Sequence, residues 1–365
     1  MDGSNKQSKK VGIITLPGKF NYGNRLQCYA AAKAIESIGC TPSVLELEYM
    51  FPWYRRAYYV LKRHLLHAIG RGAGKTPEQM STPARLAAFD DFEKLIPVRR
   101  CKRLPRDLGD QYDRFVIGSD QVWNPHVIAH QEYWYFAEFA KREQRIALAA
   151  SLGIETFDDE EQAARIAAGV RGFTSVSVRE KKGAELIKAC SGVTATVICD
   201  PTLTLSATEW RSVAKTSITP KEPYIFTYLL GGFGAEARSA ISGLDKGPST
   251  RVVSIADRQK AGELDAGPAE FLSLIDNAAH VVTDSFHAAV FASVLETPLT
   301  IVHREGGASM FSRLEQLSNS LGIENKVFGS PSFDLSRAGD YAGVPEAIAR
   351  ERKKFMSYLE ACLNG

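Results

Sequence analysis

The chain has 365 residues, and this length predicts two domains rather than a single core. Its hydrophobic content of 44% and charged content of 24% are typical of a globular protein, and no stretch approaches the roughly 18 apolar residues that a membrane span needs. The net charge of +3 gives no support to nucleic-acid binding, and the six scattered cysteines, which lack the spacing of a zinc site, predict a reduced, cytoplasmic protein.

Strand-like and helix-like runs alternate along most of the chain. Runs of β-branched and apolar residues predict strands at 11–16, 43–47, 114–117, 146–150, 175–178, 195–199, 224–229, 251–255, 280–283 and 299–302. Amphipathic runs predict helices at 25–38, 84–95, 161–170, 180–190, 268–278, 286–296, 310–321 and 345–363. Alternation of this kind predicts parallel sheets that are covered by helices on both faces.

The polar stretch 215–223 is the best candidate for a domain boundary, because it contains two prolines and separates two sets of predicted strands. It divides the chain into an N-terminal Rossmann-like domain at 1–218 and a C-terminal Rossmann-like domain at 219–340, with a cleft expected between them. The remaining residues, 341–365, contain a predicted helix that is a candidate for packing back on the N-terminal domain.

Residues 51–71 do not fit the alternation. Their apolar residues fall on one helical face, while basic residues crowd the other positions. A basic amphipathic helix of this kind is typical of peripheral contact with an anionic membrane surface. The alternative is an insertion whose apolar face packs on its own domain, and the sequence leaves both interpretations open.

Polar side chains crowd two strand exits in the N-terminal half. The turn after the first strand carries Asn21, Gly23, Asn24 and Arg25; glycine lets a ligand approach the backbone, and Asn24 is a candidate cap of the next helix. The exit at 118–125 offers groups that bind hydroxyls and a face on which a sugar stacks: Ser119, Asp120, Gln121, Trp123 and Asn124. The alternative is a plain turn in which Asp120 is a cap and Trp123 a buried plug.

The run 281–289 is the most informative segment of the chain. A β-branched strand enters a polar turn, and the turn opens an apolar helix whose first turn contains His287. Such a helix start offers unpaired backbone N–H groups to an anion, and a histidine there can donate a proton. At another strand exit, Asp200 is expected either to bind a ligand hydroxyl or to cap its own turn.

Three arginines lie at the end of a predicted strand or the start of a predicted helix. Arg179 ends a strand, and its planar guanidinium suits a carboxylate or phosphate; the alternative is an ion pair with Glu180 or Glu185. Arg304 and Arg313 come after the helix that contains His287, and both are predicted to point toward the first turn of this helix.

Six motifs, taken in order, resemble the polysaccharide pyruvyl transferase family. They are NYGNRLQ at 21–27, GSDQVWN at 118–124, SVRE at 177–180, CDPTL at 199–203, GPAEFL at 267–272 and TDSFH at 283–287. The resemblance implies two Rossmann-like α/β domains in a GT-B-like arrangement, with the active site in the interdomain cleft. It also implies transfer of pyruvate from phosphoenolpyruvate, the co-substrate, to two hydroxyls of one sugar, without a metal or another cofactor.

On this resemblance, His287 is the proton donor and a ligand of phosphoenolpyruvate. Arg179 clamps the anionic groups of the donor, Arg304 is the nearest candidate for a second cationic clamp, and Ser285 and Arg313 complete the donor side. The polar residues of the turns at 21–25 and 119–124 form the acceptor side. The implied acceptor is a sugar of a bacterial-type cell-surface polysaccharide or its lipid-linked precursor, in an exopolysaccharide pathway.

One departure from the family pattern concerns charge. Well-studied branches carry Arg-x-His where this chain has Ser285 two residues before the histidine, so one cationic group is absent. Arg313, Lys19 and Arg25 are the candidates to replace it. The departure also leaves open a change of donor or acceptor in this branch.

Two other functions remain open at this point. A GT-B glycosyltransferase that uses a nucleotide sugar has the same expected architecture, because a fold does not determine its chemistry. It would be stabilised by a nucleotide and not by phosphoenolpyruvate. A non-catalytic glycan-binding protein of an exopolysaccharide assembly system is the second alternative, and the presence of His287 together with Arg179 argues against it.

Overall fold

The protein is described from a computed structural model, which covers residues 8–48, 77–128, 131–244, 251–260, 262–305 and 311–364. The basic segment 51–71 lies outside these ranges, so its proposed membrane contact stays a prediction. Within the described ranges, no helix is both long enough and apolar enough to cross a membrane.

The N-terminal sheet contains seven parallel strands. They are β1 Lys10–Ile14, β2 Thr41–Leu47, β3 Val98–Cys101, β4 Arg114–Ile117, β5 Arg145–Ala150, β6 Ser175–Val178 and β7 Thr196–Val197. Their order is β3-β2-β1-β4-β5-β6-β7, and the first six strands therefore follow the order of Rossmann folds. The strand order reverses between β1 and β4, and ligands bind at the carboxyl ends of strands at such a reversal.

The C-terminal sheet contains four parallel strands. They are β8 Tyr224–Tyr228, β9 Arg251–Ile255, β10 His280–Thr283 and β11 Leu299–Ile301, in the order β11-β10-β8-β9. The chain passes from one sheet to the other between Val197 and Tyr224, a stretch that contains the expected boundary. Two parallel α/β units of Rossmann type confirm the predicted fold class.

Helices cover the two sheets. They are α1 Tyr22–Ser37, α2 Pro77–Met80, α3 Pro83–Glu93, α4 Leu108–Gln111, α5 Pro125–Ile128, α6 Glu132–Tyr135, α7 Glu160–Val170, α8 Lys181–Ser191, α9 Ala207–Val213, α10 Ala235–Leu244, α11 Pro268–Asp276, α12 Phe286–Leu295, α13 Ser312–Leu321 and α14 Val344–Asn364. Asn24 was predicted to cap α1, and this prediction is wrong. The helix begins at Tyr22, and its cap is Asn21, whose side chain accepts a hydrogen bond from the Asn24 N–H.

The two halves share one apolar core. Tyr22 at the start of α1 is fully buried and stacks on Phe271 of α11, with ring centroids 4.8 Å apart. The C-terminal helix α14 returns to the N-terminal half, where the Tyr358 hydroxyl donates to the Ala147 carbonyl at 2.9 Å. Burial across this contact holds the carboxyl ends of both sheets close together.

Candidate active site

A cavity of about 230 Å³ lies between the carboxyl ends of the two sheets. Its walls contain predicted site residues from both halves: Asn21, Asp120, Gln121, Ser285, His287, Arg304 and Arg313. The structure therefore brings together turns that are separated by more than half of the chain.

His287 is the second residue of α12, and 12% of its side chain is exposed. Its Nε2 lies 3.9 Å from Oδ2 of Asp200, and no described residue hydrogen-bonds this nitrogen. Burial lowers the pKa of His287 below the usual 6.5, while the carboxylate of Asp200 opposes the shift. The imidazole is therefore mostly neutral at pH 7.

Gly23 of α1 packs directly against the imidazole of His287. A Cβ atom at this position would overlap the ring, and the ring atom nearest to it would be Nδ1. Glycine is therefore needed because the first turn of α1 approaches His287 closely. The structure assigns Gly23 to the support of the histidine, whereas the sequence placed it among acceptor-binding residues.

Arg179 is engaged by two carboxylates. Its Nη1 lies 2.6 Å from Oδ2 of Asp200, its Nη2 lies 3.4 Å from Oδ1 of Asp120, and only 2% of the side chain is exposed. Arg179 thus forms ion pairs, but with Asp200 and Asp120 and not with Glu180 or Glu185 as the alternative interpretation had it. Arg179 lines a small crevice together with Phe286, and its guanidinium holds the two aspartates in this structure; its predicted binding of the donor stays a prediction.

Asp200 is a fixed negative charge beside the histidine. Its Oδ1 accepts hydrogen bonds from the N–H and hydroxyl of Thr202, which confirms its predicted role as a turn cap. Its Oδ2 accepts from the Ser119 hydroxyl at 2.9 Å. Burial alone would raise the pKa of Asp200, but the Arg179 guanidinium, the neighbouring His287 and the hydrogen bonds from Thr202 together outweigh burial and lower the pKa to about 2.

Asp120 projects into the cavity from a left-handed backbone conformation, with φ of +74°. This conformation is unfavourable for a residue with a Cβ, and such strain is concentrated at functional sites. Burial raises the pKa of the Asp120 carboxyl, but the nearby Arg179, His287 and Arg313 and the hydrogen bond from the Gln121 N–H together outweigh burial, so the pKa falls below its usual value. Asp120 is therefore ionised and faces the ligand space.

Arg304 and Arg313 bring positive charge to the cavity wall. Arg304 lies 3.4 Å from Asp284 through Nε, and 21% of its side chain is exposed. Burial lowers the pKa of Arg313 to about 10, which leaves the guanidinium charged at pH 7. The starts of α1, α12 and α13 also contribute wall residues, and helix N-termini favour anions. The cavity is therefore suited to a ligand with several negative charges.

The other candidate cations are used elsewhere. Arg25 is buried and pairs with Glu46 at 3.0 Å and Glu93 at 3.6 Å. Lys19 pairs with Asp90 at 2.8 Å on the surface. Of the three candidates to replace the missing family arginine, Arg313 alone lies in the cavity wall.

Several predicted acceptor residues lie behind the wall and do not reach the ligand space. Trp123 is fully buried, and its Nε1 donates to the Tyr135 carbonyl at 3.2 Å, so the buried-plug interpretation is correct. Ser119 holds Asp200, Asn24 donates to the Leu16 carbonyl at 2.9 Å, and Asn124 accepts from the His126 N–H. These residues shape the two turns instead of contacting a ligand.

Sequence reasoning missed one polar wall residue, Asp284. Its carboxylate accepts hydrogen bonds from the N–H groups of Leu230 and Gly231 in the loop after β8, both at 2.7 Å. Its position in the TDSFH motif was visible in the sequence, but its partners lie more than 50 residues away along the chain. Within the described part of the chain, no three His, Cys, Asp or Glu residues are grouped to hold a metal ion.

Comparison with solved structures finds distant likenesses over almost the whole chain. UDP-GlcNAc 2-epimerase from Neisseria meningitidis, bound to UDP-GlcNAc, is 10% identical, with 97% of this chain and 99% of that chain covered and a TM-score of 0.49. MnaA of S. aureus with UDP is 11% identical, with coverage of 98% and 97% and a TM-score of 0.48. UDP-GlcNAc 2-epimerase from Methanocaldococcus jannaschii is 12% identical, with coverage of 98% and 100% and a TM-score of 0.47. At this distance the likenesses carry no information about the substrate.

No curated protein matches the chain. The family model for polysaccharide pyruvyl transferase matches residues 21–302, which is most of the sequence. The match begins at Asn21 and includes Asp120 and His287 of the cavity wall, together with Asp200, which lies 3.9 Å from His287. The chain therefore belongs to the polysaccharide pyruvyl transferase family.

Proposed function

We propose that the protein transfers pyruvate from phosphoenolpyruvate to two hydroxyls of one sugar, which gives a cyclic ketal. The acceptor is a sugar of a bacterial-type cell-surface polysaccharide or its lipid-linked precursor. One observation carries the proposal: His287 faces a cavity whose wall also contains Arg304 and Arg313. A general acid beside two cations is what protonation of an anionic enol ester requires.

The donor side is formed by the C-terminal half. Phosphoenolpyruvate carries a phosphate and a carboxylate, and Arg304, Arg313 and the first turn of α12 supply cationic and N–H groups for them. Ser285, which precedes α12, lies at the same wall. The acceptor hydroxyls face Asn21, Asp120 and Gln121, which the N-terminal half contributes to the wall.

The reaction balances with one histidine. His287 donates its proton to the methylene carbon of phosphoenolpyruvate, and a sugar hydroxyl attacks the neighbouring carbon as that carbon becomes cationic. The attacking hydroxyl gives its proton to the neutral imidazole of His287, which becomes charged again. The second hydroxyl then displaces phosphate, which leaves with the second hydroxyl proton, and the ketal ring closes.

Donor binding supplies the condition for protonation. Burial lowers the pKa of His287 in the protein alone. A bound phosphate and carboxylate place negative charge near the imidazole and raise its pKa, because an opposite charge within a few ångströms favours the charged form. The histidine thus becomes an acid when its substrate is present.

No step in this scheme uses a metal ion or another cofactor. We place the reaction in the cytoplasm, where phosphoenolpyruvate is produced. The acceptor, if it is lipid-linked, brings the enzyme to the inner face of the membrane, and segment 51–71 is our candidate for that peripheral contact.

A thermal-shift panel tests the donor. Phosphoenolpyruvate is expected to raise the melting temperature in the presence of EDTA, because it binds the folded state alone, whereas UDP, GDP and CMP are expected to leave it unchanged. Arg304→Ala should lose most of the shift. Arg337→Ala is the matched control, because Arg337 pairs with Asp340 on the surface. A shift with a nucleotide and none with phosphoenolpyruvate would overturn the proposal in favour of a glycosyltransferase.

A further inference from the structure

Asp284 lies where three strands of the C-terminal sheet end. It follows β10, it accepts hydrogen bonds from Leu230 and Gly231 after β8, and its Oδ2 lies 3.4 Å from Nε of Arg304 after β11. Only 2% of its side chain is exposed, so a water molecule does not easily replace these partners. The carboxylate therefore joins three separate segments of the cavity wall.

The strand exits themselves are held by a different residue. The hydroxyl of Thr283 donates to the Tyr228 carbonyl at 2.6 Å and accepts from the Ser285 N–H at 3.0 Å. The Thr283 carbonyl accepts from the Val302 N–H at 2.9 Å. Because Thr283 fixes the ends of β8, β10 and β11, removal of the Asp284 charge is expected to release the loop and Arg304 without unfolding the sheet.

Gly231 confines the stem of Arg304. A Cβ at Gly231 would lie 2.5 Å from Cγ of Arg304 and 3.1 Å from Oδ2 of Asp284. The loop, the aspartate and the arginine are therefore packed at van der Waals contact. Asp284 contacts Arg304 through Nε, so this contact does not use the two terminal nitrogens of the guanidinium.

We propose that Asp284 is a positioning residue that fixes Arg304 and the loop after β8, so that the guanidinium is preorganised for the phosphate or carboxylate of the donor. This inference rests on the proposed function, because it assumes that Arg304 binds phosphoenolpyruvate. An arginine that is already held in place loses less side-chain entropy on binding, which strengthens affinity without a new contact. Asp284 contributes to donor affinity through Arg304 and does not touch the reacting atoms.

The test is a double-mutant cycle on the dissociation constant of phosphoenolpyruvate, measured by calorimetry. Asp284→Asn keeps the shape of the side chain but removes its charge, and it is expected to weaken binding about five- to tenfold. Arg304→Ala is expected to weaken binding at least as much, and the double variant should bind no more weakly than Arg304→Ala alone. Asp334→Asn is the control, because Asp334 caps a turn that does not line the cavity and should leave affinity unchanged.

Steady-state kinetics separate positioning from general damage. Asp284→Asn should raise KM for phosphoenolpyruvate while kcat at saturation stays within a few-fold of the wild type. Gly231→Ala disturbs Arg304 in a second way, because the added methyl group displaces the Arg304 stem while the charge of Asp284 is kept. Its effect on affinity should also disappear in the Arg304→Ala background.

Additive losses in the cycle, or an unchanged affinity in both Asp284→Asn and Gly231→Ala, would overturn the positioning role while leaving the proposed function in place. Absence of phosphoenolpyruvate binding to the wild type would instead contradict the proposed function, and the positioning role with it.

Discussion

At His287, burial and nearby charges set the proton affinity of the imidazole. Burial favours the neutral ring, and Asp200 at 3.9 Å favours the charged ring. Because Arg179 binds the same carboxylate at 2.6 Å, the aspartate stabilises the imidazolium less than a lone carboxylate would. The histidine is thus left free to respond to the charge of a bound donor.

This balance predicts two different pH profiles. The acid form of His287 is required, so rates should fall as pH rises through its pKa. In the free enzyme that pKa lies below 6.5, and the fall in kcat/KM should therefore begin below pH 6.5. In the donor complex the pKa of His287 is expected to be higher, so kcat should begin to fall only at a higher pH than kcat/KM does. Profiles of kcat and kcat/KM that coincide would show that donor binding does not charge the histidine.

Arg179 is predicted to be a structural residue first. Arg179→Ala leaves Asp200 buried without its main counter-charge, and removal of one partner of a buried ion pair costs about 3–5 kcal/mol of unfolding free energy. Urea denaturation measures this loss. Arg165→Ala is the control, because Arg165 pairs with Glu161 on the exposed face of α7 and such pairs contribute about 0.2–1 kcal/mol. A loss of less than about 1 kcal/mol in Arg179→Ala would contradict the buried-pair description.

At the scale of elements, the site depends on the close approach of α1 and α12. These helices belong to different halves, and Gly23 of α1 lies against the ring of His287 on α12. A shift of either helix by the width of a methyl group therefore moves the proposed proton donor.

Gly23→Ala tests this contact. The added methyl group should displace the imidazole, so turnover is expected to fall by at least about tenfold, since small misplacements of a reacting group cost up to about a hundredfold in rate. Far-ultraviolet circular dichroism should stay unchanged, because alanine favours a helix. Gly243→Ala on α10 is the matched control, since its Cβ would meet Leu335 at an ordinary 3.5 Å. Full activity in Gly23→Ala would show that His287 does not need its present position.

The sequence predicts elements well where periodicity is strong and poorly where it is interrupted. Strand β4 at Arg114–Ile117 and strand β10 at His280–Thr283 match their predicted bounds. Strand β3 was missed because two of its four residues are arginines, and it lies at the sheet edge where polar side chains are tolerated. Helix α10 was missed because it follows a glycine-rich loop that hides its start.

The site was predictable only in part, for a physical reason. A turn can be recognised from its own residues, and the turns that carry Asn21, Asp120 and His287 were identified in this way. Whether a polar residue faces the ligand or holds the turn depends on partners far away in sequence. Arg179 and Asp284 illustrate this limit, because the residues that define their environment lie more than 20 and 50 positions away.

At the scale of the whole molecule, neither half contains a complete site. The N-terminal half supplies Asn21, Asp120 and Asp200, and the C-terminal half supplies His287 and Arg304. The shared core and the return of α14 fix these two sets relative to each other. In the proposed reaction, the donor binds at the C-terminal side of the cavity and the sugar at its N-terminal side.

The candidate membrane segment can be tested with the intact protein. Residues 51–71 predict co-sedimentation with vesicles of anionic lipid at low salt and release at high salt, because surface charges are screened beyond about 10 Å at 0.1 M salt. Neutral vesicles are the control. Absence of binding, or binding that ignores salt, would favour an insertion that packs on its own domain.

The central claim is tested most directly by turnover of His287→Gln beside the wild type. Both proteins are incubated with phosphoenolpyruvate and a panel of nitrophenyl glycosides, and phosphate release is measured together with the mass increment of a pyruvyl ketal. The wild type should release phosphate in step with ketal formation. Glutamine keeps a hydrogen-bond donor but cannot protonate carbon, so turnover should fall by at least ~100-fold while phosphoenolpyruvate still binds. Robust turnover in His287→Gln would contradict the account, because the proton would then come from another group.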